Sequence, residues 1–339
     1  MAVRYKDTDY MYSSTRVRAL EIKLATRETL ERMLDANSAA DVIAMLGDLG
    51  IETVRESDDP ASAVLREQTL TAALASAYDD MQKMTDGRGI TEFMRYPYDC
   101  NNAKSMIKCA SRGIDPRPML ISAGSVSTAN TLAAFEQKDY SAFPSHMAGA
   151  IEEAKETFAK TSNPQMVDFI LDRACFADML ENAKQNGVEL AERLVRVKID
   201  LVNIMTCVRI LRMRIGHASA GLLAETIIEG GYLDTDMFRR ALSSDEAKFS
   251  DELKYTDAYY PLSQYIGTGD TLAALERQCD NMWIAVAREA KQVPFGAPVL
   301  IGYMAAMEYQ IKNIRIILAG KDARLDSETV RERLRDSYV

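Results

Sequence analysis

The clearest structural signal in this chain is the segment Gly230-Gly231-Tyr232-Leu233-Asp234-Thr235-Asp236-Met237-Phe238. It joins two segments of helical character through a glycine-bearing turn, and the second segment opens with an aspartate that follows a leucine. The Asp234 carboxylate is placed to accept hydrogen bonds from the unpaired N–H groups of the new helix, while Leu233 packs on its fourth residue. The stretch therefore predicts a capped join between two helices.

The same device occurs at two other places in the sequence. Near the C-terminus, Leu325 precedes Asp326 in the run from Gly320 to Val330, and a weaker copy covers residues 123–127. Repetition of one local device indicates a chain built by copying a helical unit. Repeated architectures usually present surfaces rather than a reaction centre.

The composition is that of a soluble, mostly helical protein. Hydrophobic residues make up 47% of the 339 residues and charged residues 27%, while glycine and proline number only 17 and 9. This length exceeds the size at which one hydrophobic core usually stops growing, so two or three bodies are expected. The net charge of −9 argues against a protein that binds nucleic acid through a basic face.

Neither a membrane span nor a disulfide framework is expected. The longest windows without charge, 118–135 and 292–307, are interrupted by hydroxyl and amide side chains or by proline and glycine, unlike a spanning helix. Residues 1–12 lack the apolar core of a secretory signal, which favours a cytoplasmic protein. The scattered cysteines, without a Cys-x-x-Cys pair, are expected to be free, buried thiols. They are Cys100, Cys109, Cys175, Cys207 and Cys279.

Apolar residues at helical spacing predict a series of α-helices, and no segment alternates with the period of two that marks a strand. Ser38 and Asp41 form a capping box before one of the shorter helices, and Pro97 is expected to interrupt another near its start. The predicted fold class is therefore all-α. The longer predicted helices cover residues 64–84, 93–110, 147–158, 165–182, 190–215, 271–291 and 300–318.

A second repeated pattern places a carboxylate or an amide one helical turn before an asparagine. Its three copies suggest three related bodies, although Gln310 replaces the acid in the third copy and Met205 replaces the base in the second. Either each asparagine satisfies a backbone group of a helix or loop, or these polar residues surround a shared opening. The copies are Asp99, Asn102 and Lys104; Asp200 and Asn203; and Gln310, Asn313 and Arg315.

No catalytic, cofactor-binding or metal-binding residues are predicted. The sequence lacks the Gly-x-x-x-x-Gly-Lys-Ser/Thr loop that holds nucleotide phosphates, and residues 267–269 predict only a turn. His146 and His217 have no cysteine or acid at ligand spacing, which argues against zinc. The adjacent acids at 79–80 and 152–153 point in different directions on a helix, which favours solvated surface over an acid/base pair.

Several motifs resemble one family across essentially the whole chain. Residues 12–21 contain Arg16-Val17-Arg18-Ala19-Leu20-Glu21, which is similar to the family's Arg-x-Arg-Ala-Leu-Glu opening. The most specific stretch is 294–303, followed by Glu308 and by 311–321, while residues 99–104 and 168–173 fit less distinctively. The family that these motifs resemble is the C subunit of the archaeal and bacterial A/V-type ATPases, which is similar to the d subunit of the eukaryotic V-type enzymes.

This resemblance implies a funnel of three similar helical domains in a pseudo-threefold arrangement, with both chain ends in one of them. We expect the first domain to contain 1–60 plus 293–339, the second 61–115 plus 222–292, and the third 116–221.

The resemblance also implies a non-catalytic part of the central stalk, or rotor, of a proton- or sodium-translocating ATPase or ATP synthase. The expected partners are the central-shaft subunits of the soluble head and the subunits of the membrane rotor ring. The chain is then cytoplasmic and peripheral at the inner face of the membrane, which it meets only through protein partners. No cofactor, nucleotide or nucleic acid is expected. The alternatives are a helical-repeat scaffold of another cytoplasmic complex and a helical enzyme of unknown type.

Charged residues on the inner helices are candidates for contacts with these partners. Arg209, Arg212 and Arg214 cluster near the end of the 190–215 helix. They either match the helix dipole as solvated residues, or Arg209 and Arg212 face the mouth of the funnel and meet an acidic foot of the shaft. Binding within or between domains is the other interpretation for Arg18, Glu21 and Arg315, with internal ion pairs as its alternative. The candidate interface residues are Arg18, Glu21, Lys104, Arg209, Arg212 and Arg315.

Overall fold

The fold is taken from a computed structural model, and the structure describes residues 6–53, 63–213, 225–242, 245–256, 259–266 and 271–339. This described part consists of α-helices, short 3-10 turns and loops, without a β-strand, so the prediction of an all-α fold is confirmed. The α-helices are, in chain order, α1 (Met11–Glu21), α2 (Arg27–Asp35), α3 (Ala39–Met45), α4 (Ala63–Met84), α5 (Tyr96–Arg112), α6 (Thr128–Gln137), α7 (Ser145–Thr161), α8 (Pro164–Asn186), α9 (Glu189–Met213), α10 (Thr235–Leu242), α11 (Glu246–Lys254), α12 (Tyr260–Ser263), α13 (Leu272–Arg288), α14 (Ala297–Asp322) and α15 (Ser327–Arg331).

Local sequence signals account for where several of these helices begin. The Ser38 Oγ accepts the Asp41 N–H at 3.2 Å, which confirms the predicted cap of α3. The prediction that Pro97 interrupts a helix is wrong. Because α5 begins at Tyr96, the proline lies in the first turn, where its missing N–H has no intrahelical bond to lose.

Other predictions about the chain have simpler outcomes. All five cysteines are buried and free, as expected. None of the described helices is long and apolar enough to cross a lipid bilayer. The residues Arg214 and His217 and the turn at 267–269 lie outside the described part of the chain.

The chain divides into two compact units. The first contains Met1–Thr91, Asn186–Ala191 and Asp280–Val339, and the second contains Glu92–Gln185 and Glu192–Cys279. Both ends of the chain therefore lie in the first unit. The division into three domains stays a prediction.

Helix α14 forms the core of the first unit. It begins after Gly296, whose φ of 118° favours glycine, and whose N–H donates to the Ser14 Oγ of α1 at 2.9 Å. Helices α1 and α4 pack against α14, and Tyr78 of α4 donates a hydrogen bond to Glu308 at 2.5 Å. Apolar residues lie on all sides of α14, as is typical of a buried helix. The side chains without exposed surface include Val299, Leu300, Ile301, Met304, Ile311, Ile314 and Ile317.

In the second unit, two lysine–aspartate pairs tie α5 to α8. Lys104 Nζ lies 2.6 Å from Asp172 Oδ1, and Lys108 Nζ lies 2.5 Å from Asp168 Oδ1. Because the lysines and the aspartates each lie one helical turn apart, the two pairs run in parallel along the seam between the helices.

Candidate functional site

The repeated acid–asparagine pattern forms a buried structure that we call a polar clamp, in which two polar residues of one helix hold the loop that leads into another helix. In the first clamp, Asn102 of α5 donates from Nδ2 to the Ile121 carbonyl at 2.9 Å and accepts the Ile121 N–H at 2.8 Å. Asp99 accepts the N–H groups of Ser125 and Val126 at 3.0 Å each and the Ser125 hydroxyl at 2.6 Å. The held loop leads directly into α6.

The second clamp repeats this geometry on α9. Asn203 donates from Nδ2 to the Ile228 carbonyl at 2.8 Å and accepts the Ile228 N–H at 3.0 Å. Asp200 accepts the N–H groups of Tyr232 and Leu233 at 2.9 and 3.1 Å. The held loop leads into α10, so the glycine-bearing turn at 230–233 belongs to this clamp.

The two clamps differ in the source of the hydroxyl that the aspartate accepts. In the first clamp it is Ser125 of the held loop, and in the second it is Tyr259, whose hydroxyl donates to Asp200 Oδ2 at 2.5 Å. Each loop also carries a glycine, Gly124 or Gly231, at which an added Cβ would overlap the carboxylate of its own clamp. The turn glycines are therefore required by the close approach of the aspartates.

The third clamp lies on α14 and holds one segment near each end of the chain. Asn313 donates from Nδ2 to the Arg335 carbonyl at 3.0 Å and accepts the Arg335 N–H at 2.9 Å. Gln310 Oε1 accepts the Ala25 N–H at 2.6 Å, one residue before Thr26, which caps α2. Thus the loop that is continuous in the other two clamps is replaced here by two segments, one near each terminus.

These contacts decide between the two interpretations of the repeated pattern. Each asparagine satisfies the N–H and the carbonyl of one loop residue, so the interpretation as backbone partners is confirmed. The interpretation that the pattern surrounds an opening is wrong for its acid, amide and asparagine members, because no more than 6% of any of these side chains is exposed. They are Asp99, Asn102, Asp200, Asn203, Gln310 and Asn313.

Burial controls the protonation of the clamp carboxylates. It raises the pKa of Asp99 to about 6, although the Ser125 hydroxyl, the loop N–H groups and Arg95 act in the opposite direction. Burial also raises the pKa of Asp200. Burial and the nearby Asp200 charge raise the pKa of Tyr259, which keeps its hydroxyl available as a donor.

Two of the predicted interface residues, Arg18 and Glu21, form an internal ion pair on α1. Arg18 Nη1 lies 2.8 Å from Glu21 Oε2, and Nη2 donates to the carbonyls of Ala290 and Val293 at 2.9 and 2.6 Å. One guanidinium thereby joins α1 to the turn that precedes α14. This arrangement favours a structural role within the first unit.

Three more of the predicted residues also form ion pairs within their own unit. Lys104 pairs with Asp172, Arg212 Nε lies 3.2 Å from Glu246, and Arg315 Nη2 lies 2.5 Å from Glu67. Arg209 differs from them because its side chain is exposed and forms no ion pair in the described part of the chain. The charge of each residue is evident from the sequence, but the acid that faces it, often far away along the chain, is not.

The first unit contains a charged cluster around the buried Asp280 that no sequence pattern indicated. Asp280 accepts Lys312 Nζ at 2.5 Å, Arg335 Nε at 2.8 Å and the Tyr309 hydroxyl at 3.0 Å, and Trp283 stacks on Tyr309 with 5.3 Å between ring centroids. The cluster holds the C-terminal segment against α13 and α14. Its members are distant in sequence and share no motif.

One histidine has acidic neighbours that its sequence spacing did not indicate. His146 Nε2 lies 3.1 Å from Glu181 Oε2, and the fold brings Asp178 into the same cluster. The two Asp178 oxygens already accept the N–H groups of His146 and Met147 at 2.9 and 2.8 Å, at the start of α7. Asp178 therefore serves as a helix cap.

The first unit also contains a groove of about 560 Å³ between the end of α1 and the middle of α4. Its α4 wall consists mainly of small side chains, and Met307 and Tyr303 of α14 contribute to the lining. The α4 residues of the wall are Ala72, Ala73, Ser76, Ala77, Asp80, Met81 and Met84.

Comparison with known proteins identifies the family. The family model described as ATP synthase (C/AC39) subunit matches residues 13–333. The chain is 24% identical over 343 residues to the C subunit of the A-type ATP synthase of Methanococcoides burtonii, covering 96% of this chain and 94% of the relative. It is also 24% identical over 330 residues to the C subunit of the V-type sodium ATPase of Enterococcus hirae, covering 95% and 97%. The chain therefore belongs to the ATP synthase (C/AC39) subunit family.

Proposed function

We propose that this ATPase subunit is a non-catalytic part of the central stalk, which couples the shaft of the soluble head to the membrane rotor ring of a V/A-type ion-translocating ATPase. The observation that carries the proposal is the set of three polar clamps. In the first two clamps, side chains of a long helix hold the loop that leads into another helix, and in the third they hold a segment near each end of the chain.

A part that transmits torque must resist bending, and the clamps supply that resistance. Closely packed helices are stiff along their contact, but a loop between helices is usually the compliant element. Here the loops that enter α6 and α10 are held by buried side chains, and the third clamp holds the segments around Ala25 and Arg335. Breaking such buried hydrogen bonds is costly, which favours units that move as solid bodies. The three clamps also support a chain of three related domains.

The proposed place in the central stalk implies the partners of the chain. We infer that the chain lies at the cytoplasmic face of the membrane, with the shaft subunits on one side and the ring subunits on the other, and that only these proteins connect it to the bilayer. Among the candidate residues, Arg209 is best suited to meet an acidic partner, because its charge is exposed. We expect Arg209→Glu to weaken assembly at low salt and less so at high salt, with the exposed Lys184→Glu as the matched control.

The proposal is tested by measuring ATP hydrolysis and ion transport separately in complexes purified with and without this chain. Without it, we expect the head to hydrolyse ATP while no ion gradient forms, because the shaft is no longer joined to the ring. Adding the purified chain back should restore transport. Ion transport that is equally fast without the chain would overturn the proposal. Recovery of the chain only with an unrelated complex would instead support a scaffold function.

A further inference from the structure

Helix α1 has one face that the fold explains and one that it does not. Val17 and the two serines at 13–14 are buried, and Arg18 and Glu21 are paired internally. At 100° per residue, the exposed residues of α1 and of the turn that follows it fall on the opposite side. We call this side the outer face of α1. It consists of Met11, Tyr12, Thr15, Arg16, Ala19, Ile22 and Lys23.

The outer face of α1 is strongly apolar for a surface helix. Met11 is 54% exposed, Tyr12 70% and Ile22 85%, and the exposed Ala19 lies between them on the same face. A single exposed hydrophobic side chain is ordinary. Three large ones grouped with an alanine on one helix face form a patch of the kind that marks an interaction site.

The charges on the outer face all have one sign. Arg16 and Lys23 lie at one edge of the arc, and neither forms an ion pair in the described part of the chain. No aspartate or glutamate belongs to the face, although the chain as a whole carries a net charge of −9. The face is thus complementary to an apolar surface that has carboxylates along one side.

We propose that the outer face of α1 docks an amphipathic α-helix from another subunit of the assembly, with an apolar stripe over Tyr12, Ala19 and Ile22 and carboxylates beside Arg16 and Lys23. The inference rests on the proposed function, which makes this chain one subunit among several. The small Ala19 side chain at the centre lets a partner helix approach to the usual 8–10 Å between axes. The outer face is about 18 Å long at 1.5 Å per residue, which matches a few turns of a partner helix.

A protein helix fits this face better than an anionic membrane does. Two basic side chains near a lipid surface contribute about 1 kcal/mol each, and the net charge of −9 opposes the approach of the whole chain to such a surface. A partner helix requires only local complementarity. Because one helix face buries less area than a stable binary interface needs, the contact is expected to form within the assembled complex, alongside other contacts.

The test uses an introduced thiol as a reporter. Since all five native cysteines are buried, Ala19→Cys supplies an accessible thiol on the outer face. Ala159→Cys, at an exposed alanine of α7, is the matched control that sets the maleimide labelling rate of an open helical position. In the isolated chain the two variants should be labelled at similar rates. In the assembled complex we expect labelling of Ala19→Cys to slow about tenfold or more, which corresponds to about 1.4 kcal/mol or more of protection.

Charge variants and a cross-link identify what covers the face. Adding Arg16→Glu and Lys23→Glu should restore fast labelling of Ala19→Cys in the complex, whereas Lys184→Glu and Lys248→Glu, at exposed lysines elsewhere, should not. A photo-reactive benzoylphenylalanine at position 12 should join a peptide of another subunit with helical apolar spacing and carboxylates at its edge.

Several outcomes would overturn the inference. These are unchanged labelling of Ala19→Cys in the complex, a cross-link to lipid or to a second copy of this chain, or equal protection by phosphatidylglycerol vesicles alone. A complex that contains the chain but leaves Ala19→Cys open defeats this inference and leaves the proposed function intact. Failure of the chain with its native Arg16 and Lys23 to enter the complex at all defeats the proposed function.

Discussion

Asn203 holds Ile228 by both of its backbone polar groups, with its Nδ2 2.8 Å from the carbonyl oxygen and its Oδ1 3.0 Å from the amide nitrogen. A primary amide is the side chain that donates and accepts in one plane, so asparagine is suited to this position as no acid or hydroxyl residue is. Asn102 and Asn313 hold Ile121 and Arg335 in the same way. The two clamp residues of each helix lie about one helical turn apart, so both side chains lie on the same face of the helix.

The first prediction concerns the asparagine of the first clamp. Asn102→Ala should lower the free energy of unfolding by about 2–4 kcal/mol, because two buried hydrogen bonds are lost and the Ile121 N–H and carbonyl lose their partners. Hydrogen exchange of the Ile121 amide measures the local effect and should become much faster. The neighbouring Asn101, which is exposed on the same helix, is the matched control.

Asn101→Ala should leave the exchange of the Ile121 amide unchanged and raise helix stability slightly, because alanine has the higher helix propensity. Equal effects of the two variants on Ile121 would show that the loop is held by something other than the clamp.

The second prediction concerns the glycine under the second clamp. Gly231→Ala should destabilise the fold by about 1–3 kcal/mol, as overpacking does, because its Cβ would overlap the buried Asp200 carboxylate. Gly149→Ala is the matched control, since a Cβ there meets nothing within 4 Å and α7 should gain about 0.5–1 kcal/mol. Thermal unfolding of the two variants should shift in opposite directions, and a shift in the same direction would contradict the prediction.

The third prediction is a pH dependence. Burial raises the pKa of the Asp99 carboxyl to about 6 from an ordinary 3.8, so between these values the folded chain binds more protons than the unfolded chain. The stability from this group is therefore fully present below pH 3.8 and is lost as the pH rises through about 6. The full loss is about 3 kcal/mol at 1.36 kcal/mol per pKa unit. Burial raises the pKa values of Asp200 and Asp178 in the same direction.

Urea unfolding measured from about pH 4 to about pH 7 checks this dependence. Asp99→Asn removes the titrating group and should flatten the decline in stability, whatever its effect at a single pH. The flattening should be incomplete, because the two other buried carboxyls still titrate. An Asp99 pKa near the ordinary carboxyl value, measured by NMR, would contradict the prediction.

The sequence was sufficient for features that depend on residues close together in the chain. The cap of α3 at Ser38 and the repeated spacing of Asp99 with Asn102 and of Asp200 with Asn203 could be identified from it. The partners of the third clamp could not, because Gln310 and Ala25 are 285 residues apart. No local pattern shows that two separate segments near the chain ends replace one loop.

Internal ion pairs could not be predicted from the sequence for a related physical reason. Arg212 and Glu246 pair across 34 positions, and Arg315 and Glu67 across 248. Whether a basic side chain is neutralised internally depends on which acid the fold brings near it. The exposed Arg209 and the outer face of α1 became distinguishable only when the other charges had been assigned to their partners.

The last prediction separates the side chain of Arg335 from its backbone. Arg335→Leu keeps the backbone bonds to Asn313 but removes the guanidinium from Asp280, and both side chains of that pair are at most 9% exposed. Loss of one partner of a buried ion pair costs about 3–5 kcal/mol, and the lower end is expected because Lys312 still faces Asp280. Arg333→Leu, at an exposed position, should change the free energy of unfolding by less than about 0.5 kcal/mol. If urea unfolding gave the two variants equal stability, the buried cluster would not be what holds the C-terminal segment.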